Sequence, residues 1–365
     1  MKNFINQIQP WIGKEESEQL LRVVQSTFVT EHDLTKEFEE KIKELTGSKH
    51  AIAMANGTVA LFCCLRSLGI GPGDEVIVPD MTFIATANSV ILAGATPIFC
   101  DVNLDDLSLD TKKVKECITS NTKAIMPVHL YGGSANIKEL EKICKEFDLF
   151  LVEDAAQGVG VKYDGKHVGT FGHLGILSFY GNKTITCGEG GVVLTDDDEL
   201  AASCYRLKNH GRDTKGIFIH SHIGFNFAFT EMQAAVGIAQ LNKLERIISR
   251  KKEIYDKYVA SLSGITNLRP LTFAENISPV HWFTSFFTDK RAGLACHLND
   301  RGIQTRQFFY PLHKQPCYEF MNLDPQNFIN SSQSFEEGIS LPSSYGLTEQ
   351  QQDYVISCIE DYYKK

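Results

Sequence analysis

The residues best suited to chemistry in this sequence are one lysine and one aspartate that follow predicted strands. Lys183 lies in SFYGNKTITCGEGGVVLT, between an aromatic-rich strand and a glycine-rich turn. A buried lysine can have a lowered pKa, and its neutral amine is then a nucleophile for carbonyl compounds. Asp154 ends the apolar run FLVEDAA, and ligands in open α/β sheets bind at such strand ends. Taken singly, Lys183 could be a surface charge and Asp154 a salt-bridged structural residue.

A candidate phosphate site precedes both residues in the chain. In MANGTVALFCCLRSLGI, Gly57 and Thr58 stand where an apolar helix is predicted to begin. Glycine allows a ligand to approach the backbone closely, and the free N–H groups of a helix start favour an anion. The hydroxyl of Ser178 can donate a hydrogen bond to the same anion. An ordinary capped helix is the alternative interpretation of the first motif.

Together these residues match the requirements of pyridoxal phosphate. That cofactor needs a phosphate cradle, a carboxylate for its ring nitrogen and a lysine for its aldehyde. The sequence has no complete dinucleotide fingerprint, no GxxxxGK[ST], no GxSxG and no HExxH. We therefore predict pyridoxal phosphate as the cofactor and no metal site.

Alternating strands and helices must position these residues. Apolar runs at 75–80, 96–102, 123–132 and 149–156 predict strands, separated by helical patterns at 82–94 and 135–147. Strands joined by helices predict a largely parallel sheet that is covered on both faces. The runs 175–182 and 190–195 are too close for a helical crossover and are predicted to be antiparallel, with Lys183 at the end of the first.

The second part of the chain begins after a long helical stretch from about Thr230. Fewer strand signals follow, which indicates a smaller α/β domain. We predict a large cofactor-binding domain at 1–245, including an N-terminal arm, and a small domain at 246–365.

Composition limits the partners and the compartment. The 365 residues carry a formal charge of −9, which argues against nucleic acid or an anionic membrane as a main partner but allows a phosphate-bearing small molecule. Most of the ten cysteines lie in apolar runs, which is typical of reduced, buried thiols. No signal peptide or membrane span is apparent, so we predict a cytoplasmic protein.

Several motifs resemble, in order and spacing, those of the DegT/DnrJ/EryC1/StrS aminotransferases: NGTVAL, GPGDEVIVPDMTFIATANSV, GATPIFCDV, VEDAAQ, SFYGNKTITCGEGG, LKNHGRD and GFNFAFTEMQAA. The residue sequences of the segments SFYGNKTIT and FFYPLHKQPCY most resemble those of the GDP-perosamine synthase branch. The resemblance implies a fold-type-I α/β structure like that of aspartate aminotransferase, with a mixed, mostly parallel seven-stranded sheet and a smaller C-terminal α/β domain. It also implies transfer of an amino group from an amino acid, glutamate being the expected donor, to a keto sugar nucleotide such as a 4-keto-6-deoxy sugar.

The resemblance implies roles for residues around the cofactor ring. Lys183 resembles the lysine that bonds the aldehyde and serves as acid and base, and Asp154 the partner of the ring nitrogen. Gln157 is expected at the ring 3-oxygen, and Phe83 on the ring face. Relatives that dehydrate their sugar carry histidine in place of Lys183, so the lysine favours transamination.

The resemblance also implies a shared phosphate site. Gly57, Thr58 and Ser178 match the phosphate cradle. Asn226 matches a residue that reaches the phosphate from the neighbouring subunit, which implies a homodimer with two shared sites. Packing within the core is the alternative role for both Asn226 and Phe83.

Residues that contact the substrate are less well defined by the sequence. His129, Arg306 and His313 are candidates, with packing or surface roles as alternatives. A smaller phosphorylated ketone, such as a keto triose phosphate, is an alternative acceptor. Dehydration and a non-catalytic sensor that binds the cofactor or a nucleotide sugar are the other functions considered.

Overall fold

Short, mostly buried strands form the frame of the chain. The computed structural model describes residues 4–214 and 216–364. Within those residues the strands are β1 (His50–Met54), β2 (Glu75–Pro79), β3 (Thr96–Cys100), β4 (Thr122–Ile125), β5 (Phe150–Asp154), β6 (Lys162–Tyr163), β7 (Lys166–His167), β8 (Leu174–Ser178), β9 (Gly191–Thr195), β10 (Arg269–Pro270), β11 (Ile277–Ser278), β12 (Thr284–Phe287), β13 (Arg306–Gln307) and β14 (Gly338–Leu341).

Amphipathic and apolar helices cover the strands. In α6 the buried residues Ile137, Leu140, Ile143 and Cys144 recur at helical spacing and form one apolar face. The helices are α1 (Lys14–Ser26), α2 (Asp33–Thr46), α3 (Gly57–Ser67), α4 (Ala85–Leu92), α5 (Thr111–Cys117), α6 (Ile137–Phe147), α7 (Asp198–Lys208), α8 (Glu231–Leu241), α9 (Leu244–Leu262), α10 (Arg291–Asn299), α11 (Ile329–Glu337) and α12 (Glu349–Tyr363), with 3₁₀ turns at Leu130–Gly132, Leu312–Lys314, Pro316–Met321 and Pro325–Phe328.

The main sheet has seven strands in the order β1-β9-β8-β5-β4-β2-β3. Strands β8, β5, β4, β2 and β3 run parallel, whereas β9 is antiparallel to both of its neighbours. The predicted α/β fold, with a mostly parallel seven-stranded sheet and an antiparallel β8–β9 pair, is therefore confirmed. The carboxyl ends of β5 and β8 lie side by side, with Asp154 opposite Ile176.

Three predicted elements differ in their bounds. The strand predicted at 123–132 is shorter: β4 ends at Ile125, and the chain later turns through the 3₁₀ segment at Leu130–Gly132, in which Tyr131 has a positive φ of 53°. Lys183 lies beyond β8, in the turn before β9, and not at the strand end. The long helical stretch after Thr230 divides into α8 and α9 at residues 242–243.

A second, four-stranded sheet in the order β10-β12-β14-β13 belongs to the C-terminal part of the chain. Its strands are antiparallel, and α10 and α12 contribute to the apolar cluster beside it. Ile5 forms a bridge with Ile303, so the N-terminal arm reaches this part. The division of the chain at 245 and 246 stays a prediction. Across residues 4–214 and 216–364, no helix is long and apolar enough to span a membrane.

A buried carboxylate connects α8 to the N-terminal helices. Glu231 accepts hydrogen bonds of 2.8 Å from the backbone N–H groups of His32, Leu34 and Thr35, and one of 2.7 Å from the Thr35 hydroxyl. The first residues of a helix have N–H groups without intrahelical acceptors, and a carboxylate there also interacts favourably with the helix dipole. Glu231 therefore stabilises the start of α2 against α8.

We predict that Glu231→Ala lowers the free energy of unfolding by about 3 kcal/mol, because it leaves several buried donors without an acceptor. Urea denaturation followed by circular dichroism measures the change. Glu37→Ala, which removes an exposed carboxylate from α2, is the control and should change stability by less than about 0.5 kcal/mol. Equal effects of the two substitutions would contradict the role of Glu231.

Candidate active site

One cavity opens at the carboxyl ends of β5 and β8. Its volume is about 560 Å³, within the range of small-molecule sites. It contains most of the residues that the sequence singled out: Gly57, Thr58, Phe83, Asp154, Gln157, Ser178, Lys183 and Arg306. The later part of the chain contributes Trp282 and Phe309 along with Arg306.

One end of the cavity is suited to a phosphate. Asn56 caps α3 by accepting a 3.1 Å hydrogen bond from the Val59 N–H, so the helix begins at Gly57. A Cβ atom at Gly57 would lie 3.2 Å from the Ser178 Cβ and 3.3 Å from its Oγ. The missing side chain thus lets the helix start and the Ser178 hydroxyl share the same small space. Backbone N–H groups and a hydroxyl together form a cradle for an anion.

Asp154 is a buried carboxylate that faces the cavity without a cationic partner among the described residues. Its Oδ2 accepts a 2.8 Å hydrogen bond from the Thr86 hydroxyl, and its Oδ1 accepts one of 3.1 Å from the Ala156 N–H. Burial raises the pKa of Asp154, although these hydrogen bonds and the charge of Lys183 oppose the rise. A cationic N–H group placed in the cavity would lower this pKa and favour the charged carboxylate. The protonated ring nitrogen of pyridoxal phosphate is such a group, so the residues present fit that cofactor.

Lys183 reaches the same cavity from the β8–β9 turn. Its Nζ lies 4.5 Å from the ring centroid of Trp282 and makes no hydrogen bond or ion pair with the residues that the structure describes. Burial lowers the pKa of Lys183 to about 8, with Asp154 opposing and Arg306 adding to the effect. The amine is therefore partly neutral near physiological pH and can act as a nucleophile or a base.

Gln157 and Phe83 have positions that suit contacts with a flat ring. The side-chain oxygen of Gln157 accepts a 2.7 Å hydrogen bond from the Tyr131 N–H, which leaves its amide nitrogen as the donor for a ligand. Phe83 is 52% exposed and lies in the cavity lining, with its ring centroid 5.9 Å from that of Phe309. Much of the Phe83 ring surface is thus available for stacking.

His129 does not reach the cavity. It is fully buried, with Nε2 at 2.9 Å from Glu153 and Nδ1 at 3.1 Å from Ser134. Burial alone would raise the pKa of Glu153, but His129 and backbone N–H groups from Gly169 and Gly172 lower it. His129 is therefore placed to fix the strand end beside Asp154, whereas the sequence prediction was substrate contact.

His313 and Asn226 also lie outside the cavity lining. The Nδ1 of His313 is 2.6 Å from Asp80, and its ring stacks on Phe328 with centroids 4.6 Å apart. Asn226 is exposed on the loop before α8. Of the three predicted substrate contacts, only Arg306 lines the cavity.

The sequence prediction missed Thr86, Trp282 and Phe309. Thr86 could have been found from local spacing, because it lies one helical turn after Thr82 in the predicted helix at 82–94, and Thr82 lines the cavity. Trp282 and Phe309 belong to aromatic runs, HWFTSFF and RQFFY, in which no spacing indicates which ring faces a ligand. Their position depends on how the second sheet packs against the first.

The chain is similar to known proteins over most of its length. The sequence matches the DegT/DnrJ/EryC1/StrS aminotransferase family over residues 10–360. A GDP-perosamine synthase of Vibrio cholerae is 38% identical over 331 residues, which cover 89% of this chain and 90% of that protein. A GDP-perosamine synthase of Escherichia coli O157:H7 is 37% identical and covers 99% of both chains. The crystal structure of DesV from S. venezuelae superimposes with a TM-score of 0.93, at 33% identity over 96% of this chain and 95% of that one. The chain belongs to the DegT/DnrJ/EryC1/StrS family and is a pyridoxal-phosphate-dependent aminotransferase.

Proposed function

We propose that this aminotransferase moves the amino group of L-glutamate to a keto sugar nucleotide, such as a 4-keto-6-deoxy sugar, for a surface polysaccharide. The observation that carries the proposal is the joint presence, in one cavity, of a lysine with a lowered pKa and a buried carboxylate without a cationic partner. The names of the relatives support the sugar nucleotide, since two of them are GDP-perosamine synthases.

The proposed roles follow from the contacts of each residue. When bound, pyridoxal phosphate supplies an aldehyde for the amino group and a protonated ring that withdraws electrons from the reacting carbon. Asp154 holds the proton on the ring nitrogen, and Thr86 orients its carboxylate. Gln157 donates to the ring oxygen through its free amide nitrogen.

Lys183 is the proposed proton carrier. Its neutral amine would accept the proton that leaves the α-carbon of glutamate and would return a proton to the carbon on the other side of the transferred nitrogen. In the second half of the reaction, the same group delivers a proton to the sugar carbon that receives nitrogen. A pKa near 8 suits both directions, because neither the acid nor the base form is scarce near neutral pH.

Arg306 is the proposed contact for an anionic group of the acceptor. Its guanidinium forms no ion pair with any residue in 4–214 or 216–364, and it lies 5.2 Å from the Phe283 ring. A guanidinium without a carboxylate partner at a cavity wall matches the geometry of a phosphate. The diphosphate of a nucleotide sugar is the group we assign to it.

We also propose a homodimer in which Asn226 serves the partner's cavity. Asn226 is exposed, and its loop carries exposed apolar side chains at Phe218, Ile219 and Ile223. Such a patch favours burial against another protein surface. A second copy of the chain would cover it and bring Asn226 toward the phosphate cradle of the other subunit.

The lowered pKa of Lys183 sets the pH at which this residue should capture the cofactor. At a pKa of about 8, about a tenth of the amines are neutral at pH 7, against about one in three thousand at the ordinary value. The rate of covalent attachment of pyridoxal phosphate to the apoprotein should therefore rise with pH and level off above about pH 8. Stopped-flow absorbance measures it. A rate that still climbs tenfold per unit at pH 9 would show an ordinary lysine.

Lys183→Ala tests the function itself. The variant should lose the covalent attachment and at least about 10³-fold of the glutamate-dependent conversion of the cofactor to its amine form. Lys162→Ala, which changes an exposed lysine, is the control and should behave as wild type. A wild-type protein that binds no pyridoxal phosphate at all would overturn the proposal.

The acceptor is tested with Arg306→Leu and Arg306→Lys. For GDP-4-keto-6-deoxymannose, Arg306→Leu should raise KM roughly 10- to 100-fold, with the glutamate half-reaction unchanged and partial recovery in Arg306→Lys. Arg22→Leu removes an exposed arginine and serves as the control. Amination of dihydroxyacetone phosphate, with no amination of the nucleotide sugar, would instead identify a small phosphorylated ketone as the acceptor.

The shared site is tested by mixing variants. Asn226→Ala subunits should bind pyridoxal phosphate about tenfold more weakly. Co-expression with Lys183→Ala subunits should restore tight binding to the intact Lys183, because the partner then supplies Asn226. No restoration in hybrids verified as dimers by light scattering would contradict sharing of Asn226.

A further inference from the structure

The indole of Trp282 contacts the Lys183 segment in two ways. Its ring face lies 4.5 Å from Nζ of Lys183, and its Nε1–H donates a 2.7 Å hydrogen bond to the backbone oxygen of Asn182. Trp282 is 2% exposed, and the surface that it retains belongs to the cavity lining. One side chain thus holds both the backbone next to the lysine and the amine at its end.

Trp282 is itself held firmly. The Nζ of the buried Lys251 donates to the Trp282 carbonyl at 2.9 Å and to the Ser343 carbonyl at 3.2 Å. The indole stacks on Phe283 with ring centroids 3.8 Å apart and planes at 20°. At Gly132, where φ is +86°, a Cβ would lie 2.9 Å from the Trp282 backbone nitrogen. The backbone of Trp282 therefore has little freedom to shift.

A lysine that carries protons gains from such support. Its four-carbon stem is flexible, and Nζ of Lys183 has no hydrogen-bond acceptor among the described residues. A small misplacement of a catalytic group can cost about 10²-fold in rate. If Trp282 only packed the core, its one polar atom, Nε1, would have no reason to donate its hydrogen bond to the residue directly before the lysine.

We propose that Trp282 is a positioning residue of the transamination, which fixes the direction from which Lys183 exchanges protons. The proposal rests on the function assigned to Lys183 above. Trp282 acts through the lysine in two separable ways. The Nε1–H fixes the backbone at Asn182, and the ring face favours the protonated form of the lysine nitrogen.

Three variants separate these contributions. Trp282→Phe keeps an aromatic face and removes the N–H donor, whereas Trp282→Leu removes both. Trp11→Phe is the matched control, because Trp11 is the other tryptophan of the chain and stacks on Tyr345 outside the cavity. Circular dichroism and thermal unfolding show whether each variant folds.

The first readout is the rate at which glutamate converts the bound cofactor to its amine form in a single turnover. Trp282→Phe should lower this rate about 10-fold and Trp282→Leu about 100-fold, with KM for glutamate changed less than about threefold. Trp11→Phe should keep the wild-type rate. Wild-type rates in folded Trp282→Phe and Trp282→Leu would overturn the proposal, whereas an inactive wild type would instead overturn the function itself.

The second readout is the pH titration of the absorbance of the Lys183-bound cofactor. Besides Trp282, the charges of Asp154 and Arg306 act on this nitrogen. In Trp282→Leu its pKa should fall by about half a pH unit or more, because a stabilising aromatic face is lost, while Trp282→Phe should retain the wild-type value. If Trp282 only packed the core, this pKa would not differ between Trp282→Leu and Trp282→Phe. If Trp282→Leu does not fold, the single-turnover rate of Trp282→Phe tests the proposal by itself. A loss of about 10-fold supports it, and a wild-type rate overturns it.

The third readout does not depend on turnover. In Trp11→Phe, Trp282 is the sole tryptophan, and its fluorescence should be quenched strongly when pyridoxal phosphate binds beside it. In Trp282→Phe, the fluorescence of Trp11 should change much less. Equal quenching in both variants would show that Trp282 is not at the cofactor.

Discussion

The site depends on keeping Lys183 and Asp154 in one cavity without letting them neutralise each other. Both side chains line the cavity, yet no ion pair joins them. Burial lowers the pKa of the lysine and raises that of the aspartate, so each is shifted toward its neutral form. A direct salt bridge between the two side chains would reverse both pKa shifts, and neither group would then be available to a ligand. The separation comes from placing one residue at the end of β5 and the other in the turn after β8.

Buried polar pairs hold the strand ends in place. Glu153 precedes Asp154 in β5 but lies outside the cavity lining, where it accepts hydrogen bonds from His129 and from the N–H groups of Gly169, Phe171 and Gly172. A buried carboxylate with this many donors is satisfied and therefore rigid. Asp80, at the end of β2, binds His313 in a similar way and fixes the segment that carries Phe309. The histidines thus contribute to the site through the backbone that they position.

The cavity is completed by residues from the later part of the chain. Trp282, Arg306 and Phe309 lie on or beside the strands of the second sheet and form part of the cavity wall. The large sheet supplies the carboxylate and the phosphate cradle suited to the cofactor, whereas this part supplies the indole that contacts Lys183 and the guanidinium that we propose for the acceptor. Such a division lets the acceptor change while the cofactor residues stay the same, as expected where function lies in the site more than in the fold.

The sequence by itself determined the fold class and predicted most of the residues that line the cavity. Strands β2, β3, β5, β8 and β9 appear as apolar runs, and the antiparallel pair follows from the short connection between β8 and β9, because these signals are local. The same holds for Gly57 at the start of α3 and for Asp154 at a strand end, and both residues line the cavity. Only the tertiary structure decided which histidines and aromatic rings reach that cavity. His129 and His313 have side chains that could contact a substrate, but each is paired with a buried carboxylate instead. Trp282 cannot be distinguished in sequence from a core residue. These choices depend on contacts between residues 100 or more positions apart in the chain, such as Asn182 with Trp282 and Asp80 with His313, and no local pattern carries that information.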